Sequence, residues 1–167
     1  MFGIFKNRTE IKSNSFVAVA SGEILPLAKV KDDVFSKKML GDGVAIKPND
    51  DFIVAPCNGT ITMLFPTLHA FGIKNDDGVE ALVHIGIDTV NLKGRGFKCY
   101  VKQGDRVKTG DKIIKIDSYD IENNGYDLTT MLLFPNQEKN FEFRTEGYAS
   151  RGKTIVTSYW KEVLWQF

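Results

Sequence analysis

The sequence predicts an all-β fold, an antiparallel β-sandwich or barrel-like single domain with minor short helices. Three observations lead there. Glycine and Asp/Asn punctuation recurs about every ten residues, the spacing of turns between short strands. The runs between those turns are rich in Val, Ile, Thr and Phe, side chains that fit a pleated surface. Apolar residues at helical spacing are scarce. The 167 residues suit one domain with a substantial core, and 43% hydrophobic with 26% charged residues is ordinary for a soluble globular protein.

Taken in order, the first strands expected are Phe16–Ala20, Glu23–Leu27, Gly43–Ile46, Phe52–Ala55 and Thr60–Phe65. Ala70–Ile73 and Val79–Ile87 follow, then Lys98–Val101, Lys112–Ile116, Met131–Phe134, Phe141–Arg144 and Thr154–Thr157. Each is a short β-rich run bounded by Gly, Pro, Asn or Asp. Asp32–Met39 allows a helical turn or two, stopped by Gly41. Val156, Tyr159, Trp160, Val163, Leu164 and Phe167 fall at i, i+3, i+4 spacing and predict an amphipathic helix. A strand over Thr154–Tyr159 is the alternative there. The organisation expected is a flexible N-terminal segment over 1–15, a domain over 16–157 and an aromatic tail over 158–167. That tail is expected to cover a hydrophobic surface of its own domain or of a second copy.

Composition narrows the function classes. A net charge of +1 gives no electrostatic footprint for nucleic acid. Phe2, Ile4 and Phe5 are interleaved with Lys6, Arg8 and Lys12, too short an apolar stretch for a signal-peptide core. No run is long enough to span a bilayer, so a cytoplasmic location is expected. Cys57 and Cys99 lack the spacing of a metal or redox pair and read as small, partly buried side chains. Two segments, Val19-Ala-Ser-Gly-Glu-Ile24 and Val54-Ala-Pro-Cys-Asn-Gly-Thr-Ile61, look like Gly-turn hairpins. Such hairpins also build biotinyl and lipoyl carrier domains, but the exposed lysine motif those domains modify is missing here.

His69 and His84 are the two histidines of the chain. Asn75-Asp76-Asp77-Gly78 between the flanking runs is a strong turn signal. A four-residue loop there places His69 directly opposite His84, with Cβ atoms about 5 Å apart. A two-residue loop on Asp77-Gly78 pairs His69 with Gly86 instead. Alternation then sends Val79, Ala81, Val83, Ile85 and Ile87 to the core, and Leu82, His84, Gly86 and Asp88 to the other face. Thr67, His69 and Phe71 lie across from them, and Gly86 leaves room for an approaching surface. A lone histidine is usually a packed side chain; two on one face beside Thr and Gly suggest chemistry. An imidazole carries a phosphoryl group on nitrogen, and a second imidazole with a hydroxyl stabilises its oxygens. Zinc needs more ligands than this pair supplies, so no metal and no cofactor are expected.

Phe65-Pro-Thr-Leu-His-Ala-Phe71, Leu82-Val-His-Ile-Gly-Ile-Asp-Thr-Val90 and Leu92-Lys-Gly-Arg-Gly-Phe97 closely resemble the glucose-type IIA component of the phosphoenolpyruvate-dependent sugar phosphotransferase system. Upstream, Asp33–Ile46 and Ala55–Ile61 are similar to the same family. The resemblance implies a β-sandwich phosphotransferase that takes a phosphoryl group from the carrier HPr. It passes that group to a cysteine of a IIB domain during sugar uptake. It further implies His84 as the phosphorylated residue, His69 as the partner that steadies the group, and Thr67 as the residue tuning His69. Val34, Phe35, Phe65 and Leu82 match the family's apolar docking rim, and Asp32 and Asp88 the carboxylates that meet a partner's arginines. Membrane contact is then peripheral, through the sugar permease. Asp33 stands where the rim is usually apolar, and the resemblance weakens after Asp117. The alternative function is a regulatory binding module that uses the same histidine face without sustained sugar flux.

Overall fold

The computed structural model of the protein describes residues 12–135 and 139–160. The first strands are β1 (Ser15–Val17), β2 (Gly22–Pro26), β3 (Asp42–Pro48), β4 (Phe52–Val54) and β5 (Gly59–Leu64). Next come β6 (Ala70–Asn75), β7 (Glu80–Ile85), β8 (Phe97–Cys99), β9 (Arg106–Val107) and β10 (Lys112–Ile116). β11 (Thr130–Phe134), β12 (Asn140–Phe143), β13 (Tyr148–Ala149) and β14 (Ile155–Trp160) complete the set. Two short α-helices, α1 (Asp33–Ser36) and α2 (Ser118–Asn123), and 3-10 turns at Leu27–Lys29 and Thr89–Leu92 interrupt them.

Every strand pairing among the described residues is antiparallel, as the alternation and short turns predict. An eight-stranded sheet runs in the order β13-β2-β3-β11-β7-β6-β5-β9. Two three-stranded sheets, β1-β14-β12 and β4-β10-β8, complete the sandwich. The main core lies between the layers. Ile24, Ile46, Phe71, Val83, Ile85 and Leu132 from the large sheet meet Phe16, Ile53, Ile113, Ile114 and Val156 from the small ones. A second, smaller cluster covers the opposite face of the large sheet. There Ala45, Met131 and Leu133 pack with Leu27, Val30, Phe35 and Ile87. Both faces of β11 are therefore buried, which is why Met131–Phe134 reads as a continuous apolar run.

Three expectations change. The predicted strand set lacks β9 and β13, two residues each, and also lacks α2. Helix α2 is capped by Asp117, whose carboxylate accepts from the Asp120 N–H at 3.1 Å. The predicted helix from Val156 is instead strand β14 as far as Trp160. β14 pairs with β1 on one side and β12 on the other. Two ladders outweigh a short helix, which is marginal in water by itself. Val156 and Tyr159 are buried against their own domain, whereas Trp160 is 48% exposed. Val163, Leu164 and Phe167 lie outside the described residues, as do residues 1–11.

Candidate functional site

His84 sits near the end of β7, in the middle of the large sheet, with β6 on one side and β11 on the other. It pairs with Ala70 and with Met131. The β6–β7 register differs from both sequence alternatives. Asn75 faces Val79 through an N–H to carbonyl bond of 3.0 Å, leaving the three-residue loop Asp76-Asp77-Gly78. The Asn75 side chain closes it, its Oδ1 accepting from the N–H groups of Asp77 and Val79. Gly78, at φ +82°, supplies the left-handed residue such a loop requires.

That register puts the backbone of His69 opposite Ile85, whose N–H donates to the His69 carbonyl at 2.7 Å. Regular alternation would then turn His69 toward the core, yet its ring lies 5.1 Å from that of His84, centroid to centroid. The reason is that His69 precedes β6. It closes the loop Phe65–His69, which the Phe65 N–H seals on the Ala70 carbonyl at 3.1 Å. Within that loop Leu68 adopts φ +57°, breaking the pleat just before the histidine. Phe71, expected on the site face, is buried in the main core instead.

Each ring has one nitrogen occupied. His84 Nδ1 lies 3.0 Å from the Gly86 carbonyl, so it carries the proton and Nε2 keeps the lone pair. His69 Nδ1 lies 2.6 Å from the Thr67 hydroxyl, and when that hydroxyl donates, His69 Nε2 carries a proton. Burial first, then the neighbouring His69, pushes the His84 pKa down from 6.5 to about 4. The Gly86 carbonyl and the carboxylates of Asp32 and Asp88 oppose the shift without cancelling it. Burial also lowers the pKa of His69, which is only 6% exposed. At neutral pH both imidazoles are uncharged, and His84 offers a lone pair on Nε2.

The surroundings match the expected rim only in part. α1 begins where the Asp32 carboxylate accepts from the Val34 N–H at 2.9 Å. That turn brings the Phe35 ring to 4.7 Å from the His84 ring. Phe35, expected on an exposed rim, is 5% exposed and forms part of the smaller core cluster. Phe65 flanks His69 at 5.3 Å, and Leu82 and Asp32 are half-buried while Val34 and Asp88 are exposed. Gly86 is buried rather than open. A Cβ there would meet the Thr89 methyl at 2.5 Å, so its missing side chain makes room for its own chain. Sequence reasoning omitted Met39, Leu40 and Val90, all exposed apolar residues on segments flanking the site. Their signal is a large apolar side chain beside Gly or Asp turns, where solvation is the rule.

Two close, uncharged imidazoles on one face of an antiparallel sandwich are groups suited to phosphoryl transfer. The sequence profile of the phosphoenolpyruvate-dependent sugar phosphotransferase system, EIIA 1, matches residues 14–140, and the chain belongs to that family. It is 43% identical to the glucose-specific EIIA component of Buchnera aphidicola subsp. Baizongia pistaciae (strain Bp), over 94% of this chain and 96% of that one. The glucose permease IIA of Mycoplasma capricolum has a similar structure, with a TM-score of 0.81 and 38% identity over 86% of this chain and 94% of that one. The protein is thus a phosphotransferase-system IIA component with a phosphocarrier role in sugar uptake, working with other components of that system. No helix among the described residues is long and apolar enough to cross a membrane.

Proposed function

We propose that His84 is the phosphoryl acceptor and that Nε2 is its reacting atom. The observation carrying this reading is the 3.0 Å contact between His84 Nδ1 and the Gly86 carbonyl, which reserves Nε2 for attack. The donor is the phosphohistidine of HPr: its N–P bond breaks as the Nε2–P bond forms, and its imidazole leaves. In the second step a IIB cysteine thiolate attacks the phosphorus, forming an S–P bond and releasing His84. His69, polarised by Thr67, donates from Nε2 to an equatorial oxygen, where charge builds in transfer.

Val34, Phe65 and Leu82 form the apolar docking surface, with Met39, Leu40 and Val90 extending it. Asp32 and Asp88 supply the negative charge for a partner's cations. Such a surface suits a small, transient interface with a polar rim. The work is cytoplasmic, with membrane contact only through the permease. Phe35 acts from beneath, as the surface against which the His84 ring rests. The test is incubation with phosphoenolpyruvate, enzyme I and HPr. The expected product is one acid-labile phosphoryl group on a peptide containing His84. A phosphoryl group stable to acid, or one on another peptide, overturns the reading.

A further inference from the structure

We propose that Thr89, backed by Asp127, is a positioning residue for phosphoryl transfer: it fixes the turn 85–89 so that the Gly86 carbonyl stays on His84 Nδ1. The inference rests on His84 as the reacting residue and adds what aims it. Thr89 is fully buried, three residues beyond Gly86, and its hydroxyl donates to the Ile85 carbonyl. Its methyl occupies the space a Cβ on Gly86 would need. Gly86 at φ +77° and Asp88 at φ +58° make this a turn with two left-handed residues, which needs outside support to hold one shape.

The support on the other side comes from Asp127–Thr129. The Gly86 N–H donates to the Thr129 carbonyl at 3.1 Å, and the Ile87 N–H to the Asp127 carbonyl at 2.8 Å. The Asp127 carboxylate closes that segment, one oxygen accepting both the N–H and the hydroxyl of Thr129 at 2.8 and 2.7 Å. The two peptides that meet at Gly86 are therefore both held, the Ile85–Gly86 peptide by Thr89 and Thr129 and the Gly86–Ile87 peptide by Asp127. The Gly86 carbonyl direction decides which His84 nitrogen holds the proton. If the carbonyl swings away, the Nε2–H tautomer becomes available, and that tautomer cannot attack through Nε2.

The experiment compares the full chain with Thr89→Val, Thr89→Ser and Asp127→Ala. Long-range proton–nitrogen NMR reads the His84 tautomer, stopped-flow reads acceptance from phospho-HPr, and calorimetry reads the melting temperature. Thr89→Val keeps the packing and removes the donor. It is expected to mix the tautomers and to slow acceptance about tenfold. Thr89→Ser keeps the donor, and is expected to retain the wild-type tautomer and rate despite a lower melting temperature. Asp127→Ala removes the acceptor of both Thr129 bonds and shifts the tautomer in the same direction by less. Wild-type tautomer and rate in Thr89→Val overturn the proposal. So does Thr89→Ser slowed as much as Thr89→Val, because packing alone then explains both. Where Thr89→Val does not fold, Asp127→Ala decides by the same tautomer criterion. Normal phosphorylation of His84→Gln would sink the acceptor assignment instead, leaving the tautomer result to judge Thr89.

Discussion

The two histidines lie 5.1 Å apart, yet contrasting structures hold them. His84 belongs to a central strand with ladder partners on both sides, and its Nδ1 is fixed by backbone. His69 ends a loop, its direction set by one left-handed residue and its Nδ1 by a side chain, Thr67. On the proposed assignment, the contrast separates two demands of phosphoryl transfer. The atom that forms the bond needs a fixed tautomer and a fixed place. The group that stabilises charge must reach an oxygen whose position changes as the phosphoryl moves between partners.

The largest effect should therefore fall on His84. His84→Gln is expected to abolish incorporation from phospho-HPr while folding is kept. His69→Gln should still accept phosphate but deliver it to IIB about a hundredfold more slowly, since it loses a donor rather than the nucleophile. Normal labelling of His84→Gln, or no labelling of His69→Gln, would break the division of labour. Single-turnover assays with radiolabelled phosphate distinguish the two outcomes.

Phe35 tests how far the rigidity of the His84 side depends on packing. It is buried and touches the His84 ring, so Phe35→Asp should cost about 3 kcal/mol or more of folding stability. Phe35→Leu fills most of the volume and should cost about 1 kcal/mol, with acceptance slowed only modestly. Denaturant unfolding that finds Phe35→Asp as stable as the wild type would return Phe35 to the exposed rim its sequence position suggests.

Protonation sharpens the comparison further. With a folded pKa near 4 against 6.5 in the unfolded chain, His84 binds a proton only in unfolded molecules between those values. Stability is expected to fall as pH drops from about 6.5 toward 4, by about 3 kcal/mol from this group. His84→Gln should remove that part of the acid sensitivity. An NMR titration in which His84 protonates above pH 6 would contradict it.

The sequence displayed the strand-rich fold and the motif at each histidine, because turn chemistry and β patterning are local. It misjudged the register between β6 and β7. Asn75 bonds its own loop and shortens it to three residues, a side-chain choice that alternation does not encode. Leu68 hid the approach of His69, since no glycine announces that left-handed turn. Phe35 and Gly86 read as surface features because burial of the smaller cluster depends on α1 folding back over the sheet. For Phe35 a contact between distant segments decided the outcome. Residues 154–160 show the same point, since apolar spacing alone allowed a helix that pairing with β1 and β12 overrode.

The smallest effect belongs to Tyr159, which links β14 to the loop that sets the β6–β7 register. Its hydroxyl donates to the Asp77 carboxylate at 2.6 Å and accepts from the Asn75 side chain at 3.0 Å. Burial, and then the bond to Asp77, pushes its pKa up to about 12. Tyr159→Phe removes both bonds and leaves Asn75, a buried residue, without one partner. The expected loss is about 1–2 kcal/mol of stability. Phosphate acceptance at His84 should stay unchanged, because β11 and the Gly86 turn hold that strand independently of the loop. His69 lies at the far end of β6, and delivery to IIB should slow less than twofold. If Tyr159→Phe instead slowed acceptance as much as delivery, the two histidines would share one support, and the contrast between them would fail.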